Sequence, residues 1–452
     1  MNLVIVGAGK VGETLVQNFL NEKHDVVVVD KNELKVSEVV NRYDVNGLVG
    51  GGLDRDVLLD AGADKADFFI ACTSRDEINI LCCVIARKLG AKKTIARVRD
   101  PEYFSDMETV REQLGVDFFF NPEYRTALEI KEVLKFPSAK EVERFAGGRA
   151  NMVEFVIQGE NPLVNKSLRE VFKEYGNLVL VAMVRRGEQI FIPKGDFVVR
   201  AGDCLHIIGA DSDIAKFTKS LKIFKPRAKT AFIIGGGMIA RYLAEALISD
   251  GVNVKIIEMD SQRADELAEA LPKATVILGD GKDQEILNEE SFKNCDACIS
   301  LTGKDEQNII ISLYAQQKKL GKVITKIDSP SVLSMVNMLG LDTVVSPRTV
   351  IANSIVRFVR ANQAEVSGGS AINKLYKFHD EVEALEFTVG ESFSALGVPI
   401  KEMAIKDDVL IGGIVRGEKF ILPGGDSKIL AGDKVIIVTA VEQITALEQI
   451  LK

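Results

Sequence analysis

Close to the start of the chain, Gly7, Gly9 and Gly12 set a G-x-G-x-x-G spacing between the apolar run LVIV and a helical pattern. Glycines placed this way serve one chemistry. The first permits a tight turn, the second lets a pyrophosphate come up against the backbone, and the third lets the helix pack closely on the strand. The backbone of Ala8, Lys10 and Val11 then lies where a helix start offers N–H groups and a positive dipole end to phosphate. Asp30 closes the next apolar run about 20 residues on, where an acid accepts hydrogen bonds from ribose hydroxyls and repels a 2′-phosphate. A site of this kind takes NAD-type or adenosine nucleotides in preference to NADP.

The second half of the chain repeats the pattern. FIIGGGMIA keeps Gly235 and Gly237, carries Gly236, Met238 and Ile239 beside them, and has Ala240 where the third glycine stood; Glu258 takes the place of Asp30. Thr73 matches Thr302, Asn79 matches Asn308, Pro193 matches Pro423 and Asp203 matches Asp433 at a nearly constant separation. A repeat this long is a duplicated set of domains rather than a solenoid of short units. It also acts as an internal control on every other motif.

Thr73 and Ser74 follow the fourth apolar run, at the edge where a ligand lying across the strand ends would meet their hydroxyls. Ser74 and Glu77 also have capping-box spacing, and both readings stand. Arg97 ends the fifth run, with Lys326 opposite it in the repeat, and is either a phosphate contact or half of a surface ion pair. Cys295 and Cys298 match C-x-x-C, but the repeat puts Ala66 and Phe69 there, which assigns them to strand packing. Tyr314 and Lys318 have the spacing of a dehydrogenase acid/base pair, yet Ile85 and Leu89 stand opposite, so no catalysis is expected. Cys82 and Cys83 lie on that helix and are read as packing. His24, His206 and His379 are too scattered in sequence for a zinc site or His-based catalysis. Arg186-Gly187 with Gly202-Asp203, and Arg416-Gly417 with Gly432-Asp433, are read as turn residues.

The elements that must position these residues follow from the pattern. Continuous apolar runs alternate with amphipathic helices through the first part of each half, which reads as a doubly wound parallel sheet. Each is followed by short runs separated by turns, a small mostly antiparallel α+β module. The fold class is therefore α/β: two Rossmann-like domains, at 1–136 and 230–360, each with a C-terminal module, at 137–222 and 375–452. Linkers are expected at 137–151, 222–230 and 361–374, where polar residues, Gly and Pro gather.

Composition narrows the partners. The formal charge of −8 disfavours nucleic acid and anionic lipid. No apolar run approaches the ~20 residues that span a bilayer, so no membrane insertion is expected. The N-terminus runs straight into a strand with no export signal, and six cysteines form no disulfide framework; both point to the cytoplasm.

On LVIVGAGKVG, Asp30, AGADKADFFIACTSRDEIN, IARVRDPEY, the RRG, IPKGD and AGD elements and the second copy from FIIGGGMIA, the chain resembles the TrkA family along its whole length. These are cytoplasmic regulatory subunits of Trk potassium uptake systems, built from tandem RCK (KTN) domains. The resemblance implies NAD(H), ATP or ADP as ligands, a homo-oligomer such as a tetramer, and a Trk-type channel membrane subunit as partner, with the protein peripheral to the inner face of the membrane. Carried over, the contacts are Gly7 to Val11, Asp30, Thr73, Ser74 and Arg97, and in copy two Gly235 to Ile239, Glu258 and Asp280. The family pattern has an acid after the glycine ending the third strand; copy two keeps it in Gly279-Asp280, whereas copy one reads Gly50-Gly51-Gly52. The implied function is a non-enzymatic nucleotide sensor that gates potassium uptake. An NAD-dependent oxidoreductase and a stand-alone nucleotide sensor remain as alternatives.

Overall fold

A computed structural model describes residues 1–100, 111, 113–336, 339–366, 372–378, 382–440 and 444–452. Of the features above, His379, the PEY of IARVRDPEY and 367–371 of the third linker lie outside the described residues. The described chain divides into two compact units: Met1–Thr126 with Ser346–Val356, and Ala127–Val345 with Arg357–Lys452.

The first unit is built on a parallel sheet. Its strands are β1 (Asn2–Val6), β2 (Asp25–Asp30), β3 (Asn46–Val49), β4 (Phe68–Ala71), β5 (Lys93–Arg97) and β6 (Phe118–Phe120), in the order β3-β2-β1-β4-β5-β6. Between them run the helices α1 (Lys10–Asn21), α2 (Glu33–Tyr43), α3 (Arg55–Asp60) and α4 (Asp76–Leu89), and α5 (Pro122–Lys135) follows β6. Val4, Val6, Phe69 and Ala71 are buried between helix layers, as near-continuous apolar strands require. Because β1 pairs with both β2 and β4, strand order reverses at its carboxyl end, opening a crevice for a ligand there.

The second unit holds the two C-terminal modules and the repeated sheet. Its first module has β7 (Glu141–Phe145), β8 (Ala150–Val156), α6 (Leu168–Tyr175), β9 (Leu180–Arg186), β10 (Gln189–Phe191), β11 (Cys204–Gly209) and α7 (Asp211–Ser220), with sheet order β10-β9-β11-β8-β7. The repeated parallel sheet uses β12 (Thr230–Ile234), α8 (Met238–Ser249), β13 (Asn253–Glu258), α9 (Ser261–Ala270), β14 (Thr275–Leu278), α10 (Gln284–Glu289), β15 (Ala297–Ser300), α11 (Asp305–Gln317), β16 (Lys322–Lys326), α12 (Pro330–Val336) and β17 (Thr343–Val345). Its order, β14-β13-β12-β15-β16-β17, copies the first sheet. Helix α13 (Pro347–Val366) leads to the last module, with β18 (Ile372–Phe378), β19 (Val382–Thr388), β20 (Val409–Arg416), β21 (Lys419–Ile421) and β22 (Lys434–Thr439) in the order β18-β19-β22-β20-β21. The two modules share a core in which Phe145, Met152 and Ile208 meet Tyr376, Phe378 and Ile436.

Two linker expectations are corrected. Residues 137–151 contain β7, whose Val142 and Phe145 are buried, and 361–374 contains the end of α13 and the start of β18. In β7 the apolar positions alternate with Glu141, Glu143 and Arg144, so the polar half of the strand reads as a linker. The turn reading of the modules holds and gains a cause. Arg186 grips Asp203 through two hydrogen bonds of 2.7 and 2.8 Å and donates to Val198 O, and Arg416 does the same with Asp433 and Lys428 O. Gly187 and Gly202 take φ of 62° and 87°, the left-handed region that favours glycine.

Candidate functional site

At the switch point of the first unit the chain leaves β1 through Gly7, whose φ of 113° strains any side chain. Gly12, one turn into α1, faces Gly7 so closely that an added Cβ would lie 1.8 Å from the Gly7 carbonyl oxygen. Gly9 differs from both. Its φ of −81° and ψ of −173° are ordinary extended backbone, and nothing lies within 4 Å of where its Cβ would be. Two glycines therefore pack the loop, while the middle one faces open space. Gly9 caps α1 with no side-chain hydrogen bond, and an uncapped first turn attracts anions. Lys10 and Val11 form that first turn.

Asp30, at the carboxyl end of β2, accepts from the Ala8 N–H at 2.8 Å and the Asn32 N–H at 2.9 Å. The acid read as a ribose acceptor thus also ties the glycine loop to the neighbouring strand. Its oxygens carry about four lone-pair sites, so these two bonds leave capacity for a hydroxyl. Below the loop, Cys72 Sγ lies 3.4 Å from the Gly7 oxygen, and burial pushes its thiol up to about 12.

Thr73 leads away from β4, and its N–H and hydroxyl both donate to Asn79 Oδ1, at 2.8 and 2.7 Å. Asn79, fully buried on α4, in turn donates to Thr73 O and Arg97 O at 3.3 and 2.9 Å. One amide thereby fixes the carboxyl ends of β4 and β5. The capping-box reading of Ser74 is overturned: the Thr73 hydroxyl, already anchored by Asn79, accepts the Arg75 N–H, and Arg75 caps α4 without a side-chain bond. Ser74 remains exposed at the edge, where its carbonyl accepts from Arg99. Asp76 gathers the chain beyond β5, accepting from the Arg99 and Asp100 N–H groups at 2.7 and 2.9 Å.

Arg97 meets Glu123 at 2.7 Å, but the pair is largely buried rather than on the surface as expected of an ion pair there. Arg97 Nε and Glu123 Oε2 are buried without a hydrogen-bond partner among the described residues. Such buried polar atoms are ordinarily satisfied by water, an ion or a ligand.

The second unit repeats this construction with defined differences. Gly235 has φ of 99°, and Gly237 caps α8 with no side-chain bond and open space at its Cβ position. Met238 and Ile239 start α8, and Ala240 packs fully buried in place of the third glycine. Glu258 accepts from Gly236 N–H at 2.6 Å and Asp260 N–H at 2.9 Å, and Arg263 lies 3.4 Å away. It is buried, unlike the half-buried Asp30. Asn308 holds Thr302 and Lys326 as Asn79 holds Thr73 and Arg97, and Asp305 accepts from the Asp328 and Ser329 N–H groups. Lys326 pairs with Asp328 at 3.2 Å.

After β14, Cβ atoms on Gly279 and Gly281 would meet Ile286 and Ile234 at 2.5 and 2.2 Å; after β3, those on Gly50 and Gly52 would meet Val57 and Val6. The middle position is free: Gly51 has nothing within 4 Å, and Asp280 is exposed and pairs with Lys282 at 3.3 Å. Packing dictates the outer glycines, so the acid can come and go between the copies.

The sequence reading missed Asn79, Asn308, Asp76 and Asp305 as site-building residues. Their signal was present, because each pair recurs at the repeat separation.

The TrkA-N domain pattern matches residues 3–122 and 231–347, and the TrkA-C domain pattern matches 152–222 and 384–452. The chain belongs to the TrkA family. It is 32% identical to a Trk system potassium uptake protein TrkA homolog of Methanosarcina mazei over all of both chains, and 31% identical to one of Archaeoglobus fulgidus, again over all of both. A TrkA of Halomonas elongata is 30% identical over 97% of this chain and 95% of its own. Among solved structures, the GsuK channel bound to NAD superposes with a TM-score of 0.64 at 19% identity, over 99% of this chain and 78% of that one. The GsuK RCK domain gives the same score at 17% identity, over 98% and 93%. These likenesses show a tandem RCK fold.

The family places the chain among regulatory potassium uptake proteins rather than enzymes. Tyr314 stacks on Phe292, and Lys318 lies over the Tyr314 ring at the end of α11 opposite the strand edge where the helix starts. Cys298 is buried in β15, where burial pushes its thiol up to about 12, as strand packing predicts. No helix of the described residues is long and apolar enough to cross a membrane.

Proposed function

We propose that the first glycine-loop site binds NAD(H), ATP and ADP, and that these ligands gate a Trk-type potassium channel subunit. The observation that carries this reading is the uncapped start of α1 facing Asp30, with the unsatisfied Arg97 and Glu123 atoms on the same sheet edge. Gly7 to Gly12 take the phosphates, Asp30 the ribose, and Thr73, Ser74 and Arg97 the groups lying across the strand ends. Two similar structures, GsuK bound to NAD and GsuK bound to ADP, support the same ligand classes. The second site, at Gly235 to Ile239 with Glu258 and Asp280, binds the same chemistry. Its acid is already held by Arg263, so its ribose contact is weaker and its ligand preference differs.

We place the protein in the cytoplasm, as a homo-tetramer docked on its channel partner. Co-reconstitution with the membrane subunit tests this, with potassium flux measured across ATP, ADP and NADH titrations. Flux should separate the nucleotides at saturation. Equal flux with each of them and with none would leave a stand-alone nucleotide sensor.

A further inference from the structure

Outside the glycine-loop sites, one group of cation-ligating side chains comes together among the described residues: Glu141, Glu154 and His206, with ligand atoms all within 4.8 Å of one another. They stand on β7, β8 and β11, three neighbouring strands of the first module. Glu141 is directly opposite Glu154, and Glu154 directly opposite His206. Side chains paired this way share one face of a sheet, so the three form a single row. Their separation in sequence hid this juxtaposition. Glu154 and His206 are buried, at 7% and 3% exposure, and Glu141 is partly buried.

The groups around the row orient it as outer partners orient metal ligands. The Tyr376 hydroxyl donates to Glu141. Arg185 donates to Glu154 at 3.2 Å and also reaches Cys204 Sγ at 3.0 Å. Phe378 meets the imidazole edge-on, with ring centres 5.0 Å apart, and His206 Nε2 lies 3.7 Å from Glu154 Oε2.

The duplication supplies an independent observation. In the second module the same row, in the same register, is Lys374, Glu386 and Ile436. There Lys374 reaches across to Glu143 at 2.5 Å and Glu386 accepts the Ala146 N–H at 2.5 Å, so the row holds one carboxylate and both charged members have partners. The first module differs from it at two of the three places, with Glu for Lys and His for Ile. Each difference puts a ligand where the other copy has none, and a second carboxylate in a buried row is costly unless compensated.

We propose that Glu141, Glu154 and His206 bind one divalent transition ion of the zinc class. Two carboxylates, one of them shared with Arg185, supply its anionic ligands, and the imidazole favours such an ion over Mg²⁺ or Ca²⁺, which take oxygen ligands and water. All three ligands belong to the first module, while Tyr376 and Phe378 come from β18 of the last. The ion therefore strengthens the docking of the two modules.

Full-length protein stripped with chelator is titrated with Zn²⁺ by calorimetry, and bound metal is counted after gel filtration. One zinc per chain is expected, unaffected by millimolar Mg²⁺, together with a rise in Tm. The double variant Glu141→Lys with His206→Ile installs the residues of the second module and should reduce bound zinc to background. Glu141→Gln keeps shape and should weaken binding at least tenfold, so it decides the matter if the double variant fails to fold. Cys204→Ser should bind as the wild type does, and Co²⁺ should give a spectrum without thiolate charge transfer. Wild-type binding no greater than in these Glu141 variants would overturn the assignment. So would zinc lost in Cys204→Ser, or displaced by Mg²⁺.

Discussion

Replacing Gly9 with valine separates ligand binding from folding at one atom. Gly9 sits in extended backbone that any residue adopts, and a Cβ there would touch nothing within 4 Å, so the variant should fold. Loss of glycine at the N-cap of α1 costs about 1 kcal/mol or less. Binding is another matter, because in the proposed site the open space is where phosphate approaches the first-turn N–H groups. A hydrogen bond to a charged group contributes roughly 1.5–3 kcal/mol, so each phosphate bond lost weakens binding by about 10- to 150-fold. Calorimetry with NADH and with ATP reads the affinity, and thermal unfolding reads the fold. Unchanged affinity for both nucleotides in a folded Gly9→Val protein would refute the assignment of the glycine loop to phosphate. The matching control is Gly12→Ala, whose methyl would stand 1.8 Å from Gly7 O and should lower Tm before any ligand is added.

Asn79→Ala removes a buried amide serving two strand ends and should cost about 2–4 kcal/mol in chemical denaturation; a loss below about 1 kcal/mol would show that the strand ends hold themselves. Tyr314→Phe should leave NADH bound and unconsumed in a substrate screen, and turnover abolished by that change would promote the oxidoreductase reading. Asp203 gives a pH test. Burial pushes its carboxyl up, but Arg186 and the Arg200 N–H outweigh burial and hold it below the usual carboxylate range. A depressed acid stabilises the fold fully above its unfolded value of about 3.9 and loses that contribution as pH falls through the lower folded one. Acid unfolding of Asp203→Asn, followed by circular dichroism, should therefore depend less on pH below about 4 than that of the wild type; parallel curves would remove the role of the pair.

Much of the parallel-sheet architecture was legible because buried strands such as VVVV and FFIA announce themselves, and the duplication repeats each announcement. Residues that hold the backbone together were harder to see. Asn79 reads as one more polar residue on an amphipathic helix, and only burial with four hydrogen bonds shows that it fixes two strand ends. Strand β7 was lost among its acids because half its side chains face polar partners rather than the core. The Glu141, Glu154 and His206 row depended on antiparallel register across three strands, which spacing in one dimension does not carry.

The duplicated construction also bears on how weak selectivity becomes regulation. A ligand that favours one arrangement of an assembly tenfold contributes about 1.4 kcal/mol per site. Four equivalent first-copy sites in the proposed tetramer would give roughly 5.6 kcal/mol, and moving an equilibrium from 1:99 to 99:1 takes about 5.5. Tight binding is thus unnecessary, and competition between nucleotides at one site is enough to report their ratio. The second copy need not sense the same ratio. Glu258 is buried against Arg263 where Asp30 is half open, and Asp280 stands where copy one has only Gly51. The Gly51 and Asp280 difference falls where packing leaves space, whereas Gly7, Gly50 and Gly52 and their counterparts Gly235, Gly279 and Gly281 are fixed by close contacts. A scaffold held constant around a rim that varies would let one chain carry two nucleotide sites of different preference, as proposed.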